Sequence, residues 1–300
     1  MADATQVSVD LDGIACYHAI HGLLPPPAAA LDVAIERCLP RFLELFGQLG
    51  VCATFFVIGS DLRRVLGGGG TAADVLRAAL REGHELGNHG YAHAYDMVCA
   101  DDATQRADLL ACDAALRELG AVPEGFRAPG YTHDDRLLAA VQAAGYRYDS
   151  SALPSLSYYA AKVAAIGWHR LRGRRSHSMV RGAASFFGAR LPHRHRSGLV
   201  ELPISVVGPL RLPLVGTFLL AGPAVLRRAL ARGAASLPVA HLELHALDLI
   251  DGERDGIEPA LARLQPELGT SLELRRERLA TFLRARGGFE RLCDAAARVG

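Results

Sequence analysis

The sequence predicts an α/β fold in which mostly parallel strands form a barrel-like sheet ringed by helices. Apolar runs typical of strands alternate along the chain with segments of helical spacing, an order that indicates parallel α/β architecture. The 300 residues, half of them apolar, suffice for one barrel of ordinary size. Polar side chains stand where several predicted strands end, and the chemistry of such barrels lies at the carboxyl ends of the strands.

The first strand, helix and second strand are the clearest part of this pattern. Residues 7–13 predict a strand, and a loop is expected over 16–27 because a run of prolines closes that stretch. Apolar residues at helical spacing over 32–48 predict a helix that stops at Gly50, and 51–58 predict a buried strand. Strand, helix and strand in this order indicate the start of a parallel sheet.

The alternation continues toward the end of the chain. Further helices are predicted over 72–82, 102–119, 134–144, 223–232 and 272–286, and further strands over 84–88, 125–128, 146–150, 199–206 and 239–245. The rhythm breaks over about 155–198, which we interpret as a lid or insertion within one domain spanning residues 1–300. That stretch is rich in arginine, so it is either a solvated loop or a lid that attracts an anionic substrate.

Charge, cysteine content and hydropathy exclude several classes of function. A formal net charge of +1 gives no reason to expect nucleic acid as a partner. The six cysteines show no CxxC spacing, so we expect reduced thiols in the core. The N-terminus lacks the basic start and apolar centre of a secretory signal, and no long uncharged apolar run predicts a transmembrane helix. We therefore expect a cytoplasmic protein, with contact at a membrane surface left open.

Two carboxylates and two histidines stand at the ends of predicted strands. Asp10 and Asp12 are two residues apart, so in a strand they project from the same face. A solvated turn into Gly13 would explain them, and so would a metal site, because a cation lets like charges share a face. His89 and His93 are four apart, so on one helical turn they could hold one ion. One aspartate with two histidines leaves coordination positions open, as catalytic zinc sites do.

Five short motifs with polar residues follow one another along the chain. They are Asp10-Leu11-Asp12, His89 to His93, Arg127-Ala128-Pro129, Asp149-Ser150-Ser151 and Leu242-Glu243-Leu244-His245. In this order they resemble the motifs of the NodB-type polysaccharide deacetylases, carbohydrate esterase family 4. The spaced aspartates of the first motif resemble a branch with peptidoglycan-deacetylase-like and allantoinase-like proteins. The resemblance implies a distorted (β/α) barrel of the NodB deacetylase type.

The first three motifs carry the metal and the base in this resemblance. It implies that Asp12, His89 and His93 hold a divalent metal, zinc above all, with cobalt or nickel as alternatives. It also implies that Asp10 is the base that deprotonates the attacking water, and that Arg127 positions this base. The chemistry is consistent, since a metal acidifies its water and a nearby carboxylate can take the proton.

The remaining motif residues carry the acid and the oxyanion donor. The resemblance implies that His245 protonates the leaving amine and that Asp149 orients it. It also implies that the oxyanion lies near Pro129, Gly130 and Tyr131, with the backbone N–H of Gly130 or Tyr131 as the donor.

Each motif residue also has an ordinary explanation. A lone Arg127 could form a structural salt bridge, Asp149 could simply end a strand, and His245 could be a hydrogen-bonded histidine of the core. The joint order of the five motifs favours the functional interpretation over these explanations.

The sequence thus predicts a metal-dependent hydrolase that removes an N-acetyl or similar N-acyl group from a sugar-containing substrate. Polysaccharide, glycolipid and sugar conjugate all remain candidates for the substrate. The alternatives are allantoinase-like hydrolysis of a small amide and a non-catalytic module that binds glycan or lipid. The apolar stretch 206–220 could hold an acyl chain, but burial or a homo-oligomer interface explains it equally well.

Overall fold

The computed structural model describes residues 4–171, 173, 176 and 188–299. In chain order its strands are β1 Ala4–Asp10, β2 Thr54–Val57, β3 Glu85–Asn88, β4 Gly125–Phe126, β5 Tyr148–Asp149, β6 His193–Arg194, β7 Val200–Glu201, β8 Val206–Val207, β9 Leu212–Pro213, β10 Val239–His245 and β11 Phe289–Glu290. Its α-helices are α1 Ile14–His21, α2 Leu39–Leu49, α3 Gly59–Gly67, α4 Ala72–Arg81, α5 Asp102–Leu119, α6 Asp135–Ala143, α7 Leu156–Leu171, α8 Ala224–Ala235, α9 Pro259–Ala262, α10 Leu272–Arg284 and α11 Leu292–Ala296.

One curved sheet of nine strands forms the centre of the molecule. Its order is β10-β1-β2-β3-β4-β5-β7-β6, and β11 also pairs with β1. All pairs in this sheet are parallel except β6 with β7. Strand β10 is at one end of this order. The Ser205 N–H, which follows β7 in the chain, donates a hydrogen bond of 3.1 Å to the His241 carbonyl on β10. This sheet with its surrounding helices confirms the predicted distorted (β/α) barrel.

The register of the sheet brings the motif residues to one edge. Asp10 on β1 is the direct partner of His245 on β10. His89 follows β3, Arg127 follows β4 and Asp149 ends β5. Because parallel strands all end at the same edge, these polar side chains gather at the carboxyl end of the barrel.

Helix α5 shows how local sequence sets the bounds of an element. The Asp101 carboxylate accepts a hydrogen bond of 2.8 Å from the Thr104 N–H, which satisfies a free donor of the first turn. At the other end Gly120 adopts a left-handed φ of 103°, a conformation that costs glycine little. The helix therefore spans the residues that the sequence predicts.

The loop predicted over 16–27 is wrong for its first half. Residues Ile14–His21 form helix α1, which ends at Gly22 with a left-handed φ of 62°. The prolines that suggested a loop begin only at Pro25, after the helix has already ended. Their effect on the backbone is local and does not reach back to residue 16.

The predicted insertion over 155–198 contains a regular helix, α7, in its described part. Residues 172, 174–175 and 177–187 of this stretch lie outside the described residues. The strand predicted over 199–206 is also different, because it is divided into β7 and β8. Pro203 lies between the two, and a proline has no N–H to give to a strand ladder.

None of the six cysteines, all of which lie within the described residues, forms a disulfide, and their placement differs in part from the expectation of core thiols. Cys38, Cys112 and Cys293 are buried, whereas Cys99 is exposed. Within the described residues, no helix combines the length and the apolar character needed to cross a bilayer.

Candidate active site

Asp12, His89 and His93 converge on one point at the carboxyl end of the barrel. Asp12 Oδ1 lies 3.3 Å from His89 Nε2 and 3.2 Å from His93 Nε2, and all three side chains are buried. Within the described part of the chain, neither Asp12 Oδ1 nor His93 Nε2 makes a hydrogen bond. Buried polar atoms are rarely left unpaired, and one oxygen with two nitrogens suits a divalent ion. The residues present therefore fit the metal that the sequence implies.

The backbone after β3 presents both histidines to this point. They do not lie on a helical turn, as the sequence suggested, because the chain after His89 is a loop. Gly90 turns this loop at a φ of 75°, and His93 itself adopts a φ of 51°. Positive φ is uncommon for a residue other than glycine and concentrates at functional sites. The loop thus brings His89 and His93 to one point, as four-residue spacing on a helix would.

The tautomer of His89 is set by a backbone carbonyl. His89 Nδ1 lies 2.8 Å from the Arg127 carbonyl oxygen, which can only accept, so Nδ1 carries the hydrogen. The lone pair of a neutral His89 then lies on Nε2, the atom that points at Asp12. Metal-binding histidines are oriented by such partners.

Proton release is expected when the trio binds a divalent ion. Burial alone would raise the pKa of Asp12, but His93 and His89 hold it well below its usual range. Burial alone would lower the pKa of His93, but Cys16 and Asp12 raise it to about 10. Burial alone would also lower the pKa of His89, but Asp10 and Asp12 raise it. Because a histidine must lose its proton to bind a metal, zinc binding at neutral pH should release about one proton or more and strengthen as pH rises.

Calorimetric titration with zinc in two buffers of different ionisation enthalpy measures this release directly. The apparent binding enthalpies should differ by about one buffer ionisation enthalpy or more. Identical enthalpies in the two buffers would show that His93 is already neutral.

Asp10 lies beside the trio and is held by Arg127. Asp10 Oδ1 accepts a hydrogen bond of 2.6 Å from Arg127 Nη1, and Asp10 Oδ2 lies 3.6 Å from His89 Nε2. The Arg127 side chain is fully buried and lies 4.3 Å above the Phe56 ring. Its remaining hydrogen bonds go to Ser8 Oγ, the Ser150 carbonyl, Ser150 Oγ and His241 Nε2. These contacts fix the guanidinium, and through it the Asp10 carboxylate.

His245 is the partner of Asp10 in the sheet and lies beside a second carboxylate, that of Glu243. His245 Nδ1 lies 3.0 Å from Glu243 Oε1, and His245 Nε2 lies 3.4 Å from Tyr131 Oη. Burial alone would lower the pKa of His245, but Glu243, followed by Asp12 and Asp10, raises it to about 9. Burial, above all, raises the pKa of the Glu243 carboxyl to about 7, so the two groups titrate as a pair that still holds a proton at neutral pH and can donate it.

Glu243, rather than Asp149, is the carboxylate that the structure places beside His245. Both Asp149 oxygens accept hydrogen bonds from Ser151, one from its N–H at 2.9 Å and one from its hydroxyl at 2.7 Å. Within the described residues the carboxylate at ion-pair distance from His245 is that of Glu243, not that of Asp149. The sequence does contain a signal for Glu243, since Glu243 and His245 are two apart on one strand and share a face.

Replacing Glu243 with glutamine is expected to move the alkaline limb of the pH profile of activity to lower pH. The negative charge of Glu243 helps to keep His245 protonated, so its loss should lower the pKa of His245 by about 1–3 units. The limb, expected near pH 9 in the wild type, is measured from kcat between pH 6 and 10.

Glu85→Gln is the matched control for this substitution. Glu85 is a buried carboxyl that bonds Thr54 and Tyr148 rather than His245. Glu85→Gln should leave the alkaline limb of the pH profile at the pH found for the wild type. An unchanged limb in Glu243→Gln would remove Glu243 as the partner of the acid.

Residues Pro129–Tyr131, where the sequence leads us to expect the oxyanion, form a short 3-10 turn beside His245. The Tyr131 N–H donates to the Ala128 carbonyl at 3.0 Å, so it is already used within the turn. Of the two donors left open by the sequence, the Gly130 N–H is therefore the better candidate. Gly130 has a φ of 62°, and an added Cβ would lie 2.7 Å from the Tyr95 ring, so glycine is required here.

A cavity of about 530 Å³ opens beside His93. Its lining includes Cys16, Ser60, Asp61 and Tyr95. Polar groups beside an apolar wall are typical of pockets that bind small organic molecules.

Comparison with known proteins finds a likeness to polysaccharide deacetylases. A family model described as polysaccharide deacetylase matches residues 28–148. The peptidoglycan-N-acetylglucosamine deacetylase of Bacillus cereus is 31% identical over 108 residues, which are 36% of this chain and 47% of that protein. The chain is thus similar to polysaccharide deacetylases over part of its length, in agreement with the resemblance of its motifs to the NodB-type family. The region matched by this model contains His89, His93 and Arg127, whereas Asp10 and His245 lie outside it.

Solved structures share the fold of this chain over nearly its whole length. A structure from Mycobacterium smegmatis assigned as a polysaccharide deacetylase is 20% identical, with a TM-score of 0.60, and covers 99% of this chain and 89% of its own. The PuuE allantoinase is 17% identical, with a TM-score of 0.56, and covers 98% of this chain and 89% of its own. At these identities the two solved structures show a shared fold alone. The chain spans only about half the length of the Bacillus cereus relative.

Proposed function

We propose that this protein is a divalent-metal hydrolase that removes an N-acetyl or similar N-acyl group from a sugar-containing substrate. One observation carries the proposal. The buried cluster of Asp12, His89 and His93 lies beside a separate carboxylate, that of Asp10, which is held by Arg127. A cluster with open positions and an independent base is the arrangement that hydrolysis of an amide by water requires.

Three side chains would hold the metal in this proposal. Asp12 contributes an oxygen, and His89 and His93 each contribute Nε2. Zinc suits such a donor set, as do cobalt and nickel. When bound, the ion lowers the pKa of a water molecule and polarises the carbonyl oxygen of the acyl group.

The chain's own residues move the protons. Asp10 takes a proton from the attacking water, whose oxygen forms a bond to the acyl carbon. The Gly130 N–H faces the oxygen that becomes negative. His245, charged through Glu243, gives its proton to the leaving nitrogen as the carbon–nitrogen bond breaks. The products are a free amine on the sugar and a carboxylic acid such as acetate.

The substrate class follows from the family and stays a proposal. The Bacillus cereus relative is a deacetylase of N-acetylglucosamine in peptidoglycan, so N-acetylated oligosaccharides are the first substrates to test. The cytoplasmic location expected from the sequence likewise stays a prediction, which cell fractionation with an antibody would check.

Metal content and amine release, measured on the same samples, test the proposed function. Wild-type protein purified without a metal-binding tag should contain close to one zinc-like ion per chain and release amines from N-acetylated oligosaccharides. His89→Ala should lose the ion and the activity. His193→Ala removes a histidine outside the site and should keep both.

Three outcomes would contradict the proposal in different ways. Wild-type protein that binds no metal after addition of zinc, cobalt or nickel would show that the ligand set is wrong. Metal-loaded protein that opens the ring of allantoin and leaves N-acetylated sugars intact would support the allantoinase-like alternative. Tight glycan binding by metal-loaded protein without turnover would support a binding module.

A further inference from the structure

Helix α7 carries an apolar stripe that faces solvent. Its members recur at spacings of three and four, so they lie on one side of the helix. They are Ala160, Val163, Ala164, Gly167, Trp168 and Leu171. Val163 and Trp168 are each 55% exposed, and Leu171 is 84% exposed. A helix at the surface of a globular protein normally turns such a stripe toward the core. Val163 and Leu171 of the stripe are therefore open to solvent, where a second surface can reach them.

The sequence around this stripe is strongly and uniformly positive. Residues 150–200 contain eight arginines and one lysine and no aspartate or glutamate. Among the described residues, Arg170, Arg190, Arg194 and Arg196 are all exposed. An apolar stripe within a basic segment is typical of helices that lie in the headgroup region of anionic membranes.

The first turns of α7 are attached to the rim of the active site. The rings of Tyr158 and Tyr131 meet edge to face with their centres 5.7 Å apart. Lys162 Nζ donates a hydrogen bond of 3.0 Å to the Gly130 carbonyl. Tyr159 is buried, so the start of the helix is anchored while the stripe projects outward. A surface that binds the stripe would therefore lie beside the opening of the active site.

We propose that α7 docks this protein onto an anionic lipid bilayer, with the stripe in the interface between headgroups and acyl chains. Charge complementarity favours lipid over a second copy of the chain, because two copies would bring the same positive segments together. Docking would hold the active site against the membrane and so favour a glycan carried by a lipid. The docking itself is independent of the proposed hydrolysis, since it is measured by binding alone.

Trp168 reports on this docking directly, because it is the only tryptophan of the chain. Vesicles of phosphatidylcholine with phosphatidylglycerol should shift its emission to shorter wavelength and carry the protein into the pellet. Binding should be at least about tenfold weaker to vesicles of phosphatidylcholine alone, and it should weaken with added salt. Equal binding to both kinds of vesicle would overturn the proposal, as would the absence of both shift and sedimentation.

Two valine substitutions provide the matched comparison. Val163→Glu places a charge on the stripe and should weaken binding to anionic vesicles at least about tenfold. Val225→Glu places the same charge at a 72% exposed position on α8, outside the stripe, and should leave binding unchanged. Equal losses in the two variants would assign the effect to net charge and would overturn the role of α7. Both valines are exposed, and circular dichroism checks that the fold is kept.

Discussion

Replacing Asp10 with asparagine is expected to abolish most of the turnover while leaving the metal content unchanged. Asparagine has the same shape and can still accept a hydrogen bond from Arg127, but it cannot take a proton from water. Loss of a general base typically costs about 10²–10⁴-fold in rate, and kcat on an N-acetylated oligosaccharide measures this loss. Elemental analysis of the same sample should still find the ion.

The contrast with Asp12→Ala separates the base from the ligand. Asp12 supplies the only carboxylate of the described Asp12, His89 and His93 cluster, so its removal should lose metal and activity together. Asp10→Asn protein with kcat within tenfold of the wild type would remove Asp10 as the base. Loss of the ion in Asp10→Asn would instead make Asp10 part of the ligand set.

Replacing Arg127 with methionine is expected to lower the free energy of unfolding by about 3–5 kcal/mol. The side chain is fully buried, and its loss leaves the Asp10 carboxylate without its counter-charge inside the barrel. It also leaves the Ser150 carbonyl without its donor. Urea denaturation followed by circular dichroism measures the change.

Arg63→Met is the matched control for this loss of stability. Arg63 pairs with Glu118 at the surface, where both side chains are about half exposed. Exposed pairs of this kind contribute about 0–1 kcal/mol. A loss in Arg127→Met no larger than in Arg63→Met would show that the buried pair is not a structural requirement.

The sequence predicts those parts of the fold that depend on local signals. Helix α5 was predicted with its bounds because its cap and its terminal glycine are short-range features. The strand over 239–245 was likewise predicted by its apolar run. Helix α7 was missed because the arginine-rich stretch that follows it led the whole of 155–198 to be interpreted as one lid or insertion.

The partner of His245 could not be chosen from the sequence alone. Motif order suggested Asp149, but proximity depends on which strands are neighbours and on what else each side chain contacts. In the structure Asp149 is engaged by Ser151, while Glu243 shares a face of β10 with His245. Residues that are two apart on one strand share a face whatever the order of the strands, so this spacing would have predicted the partner of His245 better than motif order.

The pairing of β1 with β10 also sets when the protein can become active during its synthesis. Asp10 and His245 are partners in the sheet but are 235 positions apart in the chain, 245 minus 10. A ribosome that adds about 5–20 residues per second needs on the order of ten to fifty seconds to cover that distance. Until β10 emerges, one edge of β1 has no strand to pair with, so the nascent chain carries an open edge that can bind other chains. The pairing of β1 with β10 thus completes the edge of the barrel that carries Asp10 and His245. It also ends the period in which the growing chain is most exposed to aggregation.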